Sequence, residues 1–248
     1  MKIDNSIKEI FPNDFPFLLR EISDPPKKLY IQGKYPEGDY KFLCVVGSRK
    51  YTSYGKNICE KLISDLRGYP VIIISGLALG IDSIAHKAAL DAGLITIAIP
   101  GSGLNNSVLY PSMNRPLAEK ILNSGGALIS EFEPTFKATP WAFPQRNRIM
   151  AGLSNAVLVI EAEKKSGTLI TARMAQEYNR DVLTVPGSIF SKNTEGPHML
   201  IRLGATSITS KEDLLEALGF KTSDASQQNI FSDCSDEERN VLKILKEP

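Results

Sequence analysis

The sequence predicts an α/β protein with a doubly wound, mostly parallel sheet and helices on both faces. From residue 42 onward, short β-branched apolar runs alternate with stretches of helical apolar spacing, and Gly/Ser turns separate them. Most of these runs are continuously apolar, as is typical of strands buried on both faces. The chain has 248 residues, of which 42% are hydrophobic and 23% charged. That is enough for one substantial core, so we expect one main domain.

The individual elements follow from these patterns. We expect strands at 42–46, 71–75, 94–99, 127–130, 156–160, 182–185 and 206–208. Helical spacing predicts helices at 53–66, 81–92, 116–124, 147–153, 169–178, 198–203 and 211–218. Ser53, Ser154 and Ser210 provide helix cap or stop chemistry nearby.

The two ends differ in composition from this main domain, which we place at 41–220. Paired prolines and aromatics predict an extended N-terminal lead-in at 1–40, packed against the domain. The polar, Ser/Gln/Asp-rich stretch 221–235 is typical of a linker. Apolar residues at helical spacing in 236–248 predict a lone amphipathic helix, too small to form a domain by itself.

Composition excludes several classes of protein. No apolar run approaches the ~20 residues that a membrane helix needs, and the N-terminus lacks a signal peptide's apolar core, so we expect a cytoplasmic protein. The cysteines Cys44, Cys59 and Cys234 are scattered, and the histidines number two, which predicts neither a disulfide framework nor a metal site. Formal net charge is +1, so nucleic-acid binding would require a local basic patch.

Gly/Ser turns follow almost every predicted strand, at the sheet edge where open α/β sheets bind ligands. Glycine is also common in such turns for conformational reasons, so any single turn is weak evidence. Several on one edge favour a phosphate-bearing ligand, because small residues allow close backbone approach and N–H groups at helix starts attract phosphate. The predicted phosphate-binding residues are Gly47, Ser48, Ser75, Gly76, Gly80, Gly101, Ser102, Gly103, Ser166, Gly167 and Thr168.

A mixed basic and aromatic segment runs from Phe143 to Arg148, with Lys137 upstream. Cations that follow phosphates and rings that stack on bases are what single-stranded nucleic acid requires. A proline-initiated helix with a core phenylalanine and solvent-facing arginines explains the segment equally well. Arg49 and Lys50, beside two tyrosines, form a second such cluster, and two clusters on one edge favour nucleic acid.

Nucleotide-cofactor motifs do not match. The first turn, Gly47-Ser48-Arg49-Lys50, lacks the G-x-G-x-x-G fingerprint, and the turn at Gly76–Asp82 lacks the spacing and lysine of a P-loop. No G-x-S-x-G elbow is present, and His86 and His198 lie in helical contexts, so we interpret both as structural. We therefore predict no cofactor, no catalytic residues, and no nuclease, ATPase or phosphoribohydrolase activity.

An ordered set of short motifs resembles the DprA/Smf DNA-processing family. The set runs from Asp24-Pro25-Pro26 through Val46-Gly47-Ser48-Arg49, Ser75-Gly76-Leu77-Ala78, Gly101-Ser102-Gly103, Tyr110-Pro111, Ser130-Glu131, Phe143-Pro144-Gln145-Arg146-Asn147-Arg148, Glu161-Ala162, Ser166-Gly167-Thr168 and Pro186-Gly187 to Gly204-Ala205. The resemblance implies an extended Rossmann fold and a non-enzymatic dimer. It also implies binding of single-stranded DNA without sequence specificity and loading of a RecA-type recombinase during natural transformation.

The resemblance also implies residue roles. The expected DNA contacts are Arg49, Lys50, Lys137, Phe143, Arg146 and Arg148. The expected homodimer interface includes His198, Ile201 and Arg202, in a segment with more apolar side chains than one buried stripe uses; a buried core helix is the alternative. Many family members carry a helical domain before the core and a winged-helix-like domain after it. The resemblance therefore implies that the helical segment at 236–248 is the start of a truncated C-terminal helical, winged-helix-like domain.

Two other functions stay open. The LOG-type phosphoribohydrolases are marked by P-G-G-x-G-T-x-x-E, but Thr171 stands at the place of the catalytic glutamate and the Pro-Gly-Gly turn is absent. A module for a mononucleotide or small phosphate would fit the Gly-rich edge, but it leaves the Phe143–Arg148 segment unexplained.

Overall fold

A computed structural model of the protein describes residues 6–221, which form one sheet flanked by helices. The strands are β1 Ile7–Ile10, β2 Leu29–Gly33, β3 Lys41–Val46, β4 Val71–Ser75, β5 Thr96–Ala98, β6 Ala127–Ser130, β7 Ala156–Val159, β8 Asp181–Thr184 and β9 Thr206–Ser207. The α-helices are α1 Phe17–Arg20, α2 Ser53–Ser64, α3 Ile81–Asp91, α4 Arg115–Asn123, α5 Ala142–Gly152, α6 Thr168–Glu177, α7 Glu195–Arg202 and α8 Lys211–Ala217.

The order of strands defines where a ligand can bind. The sheet runs β1-β2-β6-β5-β4-β3-β7-β8-β9, and all neighbours from β6 to β9 are parallel. From β3 the chain builds outward through β4 and β5 to β6, then returns to β7 on the other side of β3 and continues to β9. The point where the order reverses, between β3 and β7, is where open α/β sheets form their ligand crevice. The predicted doubly wound, mostly parallel sheet is confirmed.

The core lies on both faces of this sheet. On β3, Phe42, Cys44 and Val46 belong to one buried cluster with residues of α1, α5, α6 and α7. Leu43 and Val45, which point the opposite way, belong to a second cluster with residues of α2, α3 and α8. Burial on both faces explains why the central strands are continuously apolar rather than alternating.

The N-terminal segment is more than the predicted lead-in. β1 pairs antiparallel with β2, and β2 pairs antiparallel with β6, so residues 7–33 extend the same sheet. Between them, α1 packs on α5, where a Cβ on Gly152 would lie 3.0 Å from carbons of Leu19 and Ile22. The boundary predicted at residue 41 therefore does not separate two structural units.

Two helices begin earlier than predicted. α5 begins at Ala142 and α7 at Glu195, and each carries a proline, Pro144 or Pro197, as its third residue. An N–H in the first turn has no intrahelical partner, so proline there costs no hydrogen bond. In residues 6–221 no helix combines the length and apolarity needed to cross a bilayer. The predicted C-terminal helical segment, and all but the first residue of the predicted linker, lie outside the described residues.

Candidate nucleic-acid interface

A cleft of about 420 Å³ opens at the switch point, and we call it the switch-point cleft. Three segments surround it: the turn after β3, the first turns of α5, and the turn between β7 and α6. Its lining includes Gly47, Ser48, Arg49, Lys50, Asp82, Phe143, Arg146, Asn147, Glu163, Lys165, Ser166, Gly167, Thr168 and Thr171. The structure thus brings together the two basic-aromatic clusters that are about 95 residues apart in sequence.

Arg49 and Phe143 form the mouth of this cleft. The guanidinium carbon of Arg49 lies 5.4 Å from the centroid of the Phe143 ring, within the range of a cation–π contact. Arg49 is exposed and Phe143 half-buried, so both remain accessible. The ring can occupy this place because residue 101 is glycine: a Cβ there would lie 2.6 Å from Cδ1 of Phe143. The Tyr110 ring lies on the other side, 5.8 Å from Phe143.

Arg146 lies in the floor of the cleft and is only 5% exposed. Its Nη1 donates to the carbonyl oxygens of Gly76, at 2.5 Å, and Ile99. The carboxylate of Asp82, also buried, accepts from the Gly76 N–H at 3.1 Å. Burial lowers the pKa of Arg146 and raises that of Asp82, while their mutual attraction opposes both shifts. Arg146 is therefore a buried cation that ties together the ends of β4 and β5, with little surface left for a ligand.

Arg148 points elsewhere. Its side chain is 8% exposed, and Nη2 forms an ion pair with Glu131 while Nη1 donates to the carbonyl oxygen of Asp24. Glu131 also accepts from Nε2 of Gln145 at 2.9 Å. Arg148 does not line the cleft. Protein acceptors occupy the Arg148 guanidinium, so its predicted contact with DNA gains no support from the structure and stays a prediction.

Lys137 is exposed, in the segment between β6 and α5, outside the lining of the cleft. Its neighbour Phe136 stacks on Phe132 with 4.6 Å between ring centroids and meets Trp141 edge-on at 5.5 Å. The segment is thus held by a small aromatic cluster, and Lys137 projects from it next to the site rather than into it.

The predicted phosphate-binding residues fall into two groups. Ser75, Gly76, Gly101, Ser102 and Gly103 are buried, so they present little surface to a ligand, and their predicted contact with phosphate gains no support from the structure. The hydroxyl of Ser75, for example, donates to the carbonyl oxygen of Val45 at 2.7 Å.

The second group remains accessible to a ligand. Gly47, Ser48, Ser166, Gly167 and Thr168 line the cleft. Gly80 is half-buried and has a φ of 92°. A Cβ there would lie 2.5 Å from the Ser48 carbonyl oxygen, so glycine at this position allows the turns after β3 and β4 to approach each other closely.

A buried carboxylate that sequence reasoning left without a role shapes the first turn. Glu161, 1% exposed, accepts from the backbone N–H of Thr52 at 2.9 Å and from its hydroxyl at 2.5 Å. A Cβ on Gly55 would lie 2.4 Å from the Glu161 carboxylate. The N-terminus of α2, with its partial positive charge, is therefore already occupied by a negative side chain.

Sequence reasoning did not single out two further residues: Asn114, which supports the turn after β4, and Lys165, which lines the cleft. Nδ2 of Asn114 donates to the carbonyl oxygen of Leu77 at 2.7 Å, which holds Leu77 in the left-handed region at φ of 59°. Lys165 is exposed and lines the cleft. Asparagine and lysine are common surface residues, so no local pattern distinguished either one.

The predicted dimer residues lie on α7. Nε2 of His198 is 3.0 Å from the carbonyl oxygen of Gly187, and Ile201 is half-buried. Arg202 is exposed, as is Leu203 after it, at 63%. This helix therefore keeps apolar surface accessible beside the loop that follows β8.

The strand order and the basic, aromatic-lined crevice define a Rossmann-type protein. The strands β5-β4-β3-β7-β8-β9 have the order 3-2-1-4-5-6 of that class, and β6 extends the sheet beside β5. Residues 7–219 match the family described as DNA recombination-mediator protein A, and the chain belongs to that family. It is 44% identical to protein Smf of Escherichia coli K12 over 210 residues, 83% of this chain and 54% of that protein. It is 41% identical to DNA processing protein DprA of Streptococcus pneumoniae, over 85% of this chain and 73% of that one. The chain thus spans about half the length of the E. coli relative.

Solved structures agree with this assignment. The Streptococcus pneumoniae DprA structure superposes with a TM-score of 0.80 and 38% identity, over 89% of this chain and 77% of that one. The Helicobacter pylori DprA structure, which concerns that protein's mode of binding single-stranded DNA, superposes with a TM-score of 0.76 and 30% identity, over 88% of this chain and 98% of that one. A molybdenum-cofactor-binding protein of Rippkaea orientalis shares the fold alone. It superposes with a TM-score of 0.51 and 15% identity, over 74% of this chain and 98% of that one.

Proposed function

We propose that this chain binds single-stranded DNA at the switch-point cleft without sequence specificity and helps to load a RecA-type recombinase in natural transformation and recombination. The observation that carries the proposal is the pairing of Arg49 with Phe143 at the mouth of the cleft, 5.4 Å apart and both accessible. A ring offers a stacking face to a base, and the adjacent cation meets the phosphate that follows. Membership of the recombination-mediator family supports the role.

The contacts that we propose are the accessible ones. Arg49, Lys50 and Lys165 are exposed around the cleft and supply positive charge, and Phe143 supplies the ring. The turn at 166–168 adds backbone groups at the start of α6. Lys137 would meet a strand that continues past α5. Arg146 contributes its buried charge from below and holds the floor in place, so we propose it as a positioning residue.

Duplex DNA fits this arrangement less well. Its phosphates could meet the rim cations, but its paired and stacked bases cannot reach the Phe143 ring. We therefore expect a preference for single strands that depends on Phe143 and not on charge alone.

Assembly and location belong to the same proposal. We infer a homodimer through α7, because Ile201 and Leu203 keep apolar surface there and Arg202 is exposed. The recombinase would receive DNA from this dimer, in the cytoplasm.

A phosphoribohydrolase reaction has less support. Thr171, at the position where the resembling enzymes place glutamate, is 1% exposed. Among the described residues that line the cleft, the acids are Asp82, which is buried against the Gly76 N–H, and Glu163. A mononucleotide could enter a cleft of about 420 Å³, so that function is an outcome of the test below.

The test titrates fluorescent oligothymidylate, a duplex of equal length, and a nucleoside monophosphate against the purified protein at several salt concentrations. Arg49→Ala should weaken strand binding and flatten the salt dependence by about 0.7 in log–log slope, the value for one lost phosphate contact. Phe143→Ala should weaken strand binding about tenfold, through loss of roughly 1–3 kcal/mol of stacking, with the slope unchanged.

Equal affinity for strand and duplex would contradict the proposal. So would wild-type strand binding by a folded double variant lacking both Arg49 and Phe143. Tight binding of the monophosphate, with no binding of the oligonucleotide, would instead assign the cleft to a mononucleotide.

A further inference from the structure

Ile189 and Phe190 are the most exposed large apolar side chains in the described part of the chain, at 80% and 93%. They lie in the loop between β8 and α7, on the same sheet edge as the switch-point cleft. One exposed phenylalanine is ordinary on a protein surface. A binding role for these side chains therefore requires a loop that is held in place and surroundings that suit a ligand.

The loop that presents Phe190 is fixed by its own hydrogen bonds. The hydroxyl of Thr194, a residue 3% exposed, lies 2.5 Å from the Ser188 carbonyl oxygen and 2.8 Å from that of Ser191. The Phe190 N–H donates to the Ser188 hydroxyl at 3.3 Å. A loop whose backbone is already held in place loses less conformational entropy when a partner binds it.

Two further hydrogen bonds tie this loop to the turn that carries Arg49. The Tyr54 hydroxyl donates to the Pro186 carbonyl oxygen at 2.7 Å. Nδ2 of Asn193 donates to the Lys50 carbonyl oxygen, also at 2.7 Å. One strand, β7, separates β3 from β8, so the two loops begin about 10 Å apart. An extended nucleic-acid strand crosses that distance within a few nucleotides.

The surroundings of the ring are charged. Lys50 lines the cleft, and its carbonyl oxygen accepts from Asn193 of this loop. Lys192 follows the ring two residues later, and both lysines are exposed. Glu163 and Glu195 are the exposed acids of the neighbouring turns. Lysines around a single projecting ring suit a polyanion with stackable bases better than the broad apolar area that a stable protein partner covers.

Resting on the proposed function, we propose that single-stranded DNA leaving the switch-point cleft passes Lys50 and reaches a second stacking position, where Phe190 packs on a base. Phe143 and Phe190 would then be two platforms on one path along the carboxyl edge of the sheet. The neighbouring helix α7, whose His198 contacts Gly187, makes a second copy of this chain the competing occupant.

The experiment compares oligothymidylates of about six and about twenty nucleotides, one confined to the cleft and one able to extend beyond it. Phe190→Ala should weaken the long strand about fivefold or more with no change in salt slope, and leave the short strand unaffected. Lys192→Ala should flatten the slope for the long strand by about 0.7. Phe17→Ala is the matched control, since Phe17 is 64% exposed on α1, which packs at the far end of α5 from Phe143.

Photocrosslinking separates DNA contact from dimer contact. A single 5-iodouracil moved along the long strand should crosslink to the peptide containing Phe190 at a position beyond those that reach Phe143. Absence of that crosslink, or unchanged long-strand affinity in Phe190→Ala, overturns the second platform while leaving the cleft proposal intact. A halved mass of Phe190→Ala in sedimentation without any crosslink assigns the loop to a second copy and likewise overturns it. Unchanged affinity of Phe143→Ala for both lengths would instead remove the cleft proposal itself.

Discussion

Arg148 tests whether a predicted DNA contact instead stabilises the fold. It lies in the same helical turn of α5 as Arg146, but the two side chains have different partners. Replacing Arg148 with Met leaves Glu131, whose side chain is 15% exposed, without its ion-pair partner. Breaking a buried pair from one side costs about 3–5 kcal/mol. Glu131 keeps the hydrogen bond from Gln145 at 2.9 Å, so we expect the lower end, about 3 kcal/mol. In a domain of this size that lowers Tm by about 6–12 °C.

The assay pairs thermal and urea unfolding with oligothymidylate binding, measured well below the lowered Tm. Binding and its salt slope should stay at the wild-type values, because Arg148 does not line the cleft. Adding Glu131→Gln to the variant removes the uncompensated charge and should restore about 1–2 kcal/mol. An Arg148→Met protein with unchanged Tm and a salt slope flatter by about 0.7 would refute this reasoning and return Arg148 to the DNA.

Three further predictions concern other parts of the molecule. Burial lowers the pKa of His86 from 6.5 to about 3, so the free energy of unfolding should fall as pH drops below 6.5, by up to about 1.36 kcal/mol per pH unit. In urea titrations, this free energy should depend less steeply on pH in His86→Gln, and an unchanged pH dependence would contradict the lowered pKa of His86. A Cβ on Gly76 would lie 2.1 Å from Nη1 of Arg146, so Gly76→Ala should lower the free energy of unfolding in urea by about 1–3 kcal/mol and weaken strand binding. A Cβ on Gly167 would have no atom within 4 Å, so Gly167→Ala should not destabilise the protein, and equal stability of the two variants would count against Arg146 as a positioning residue. Ile201→Glu should shift the protein from dimer to monomer in sedimentation, and an unchanged mass in a folded protein would rule out α7 as the interface.

The parts of the fold that local pattern controls could be predicted. The expected strands 71–75 and 127–130 coincide with β4 and β6, because each is a continuous apolar run next to a glycine. β1 and β2 were missed because strands of four and five residues among prolines and charged residues carry no clear periodicity. The place of β2 is decided by pairing with β6, about 100 residues away, and the place of β1 by pairing with β2.

The types of residue at the site could be predicted from the sequence, but the contacts that they make could not. Phe143 and Arg49 do meet at the cleft, as two clusters on one edge suggested. Arg146 and Arg148 could not be told apart from surface arginines, because their acceptors are remote: Gly76 lies 70 residues from Arg146, and Asp24 lies 124 from Arg148. Burial of a cation depends on such distant partners, which no window of sequence contains.

Glu161 changes what the crevice can hold. Many nucleotide-binding α/β proteins leave the amide groups of the first helix unpaired until a phosphate arrives. Here the chain supplies its own carboxylate, which accepts two hydrogen bonds from Thr52 and is nearly inaccessible to solvent. A ligand is thereby excluded from the start of α2 and is left to the side chains around the cleft and to the turn at 166–168. A nucleic-acid strand held at the surface can advance by one nucleotide without any of its groups having to leave an enclosed pocket. Transfer of a strand to another protein requires this freedom of movement.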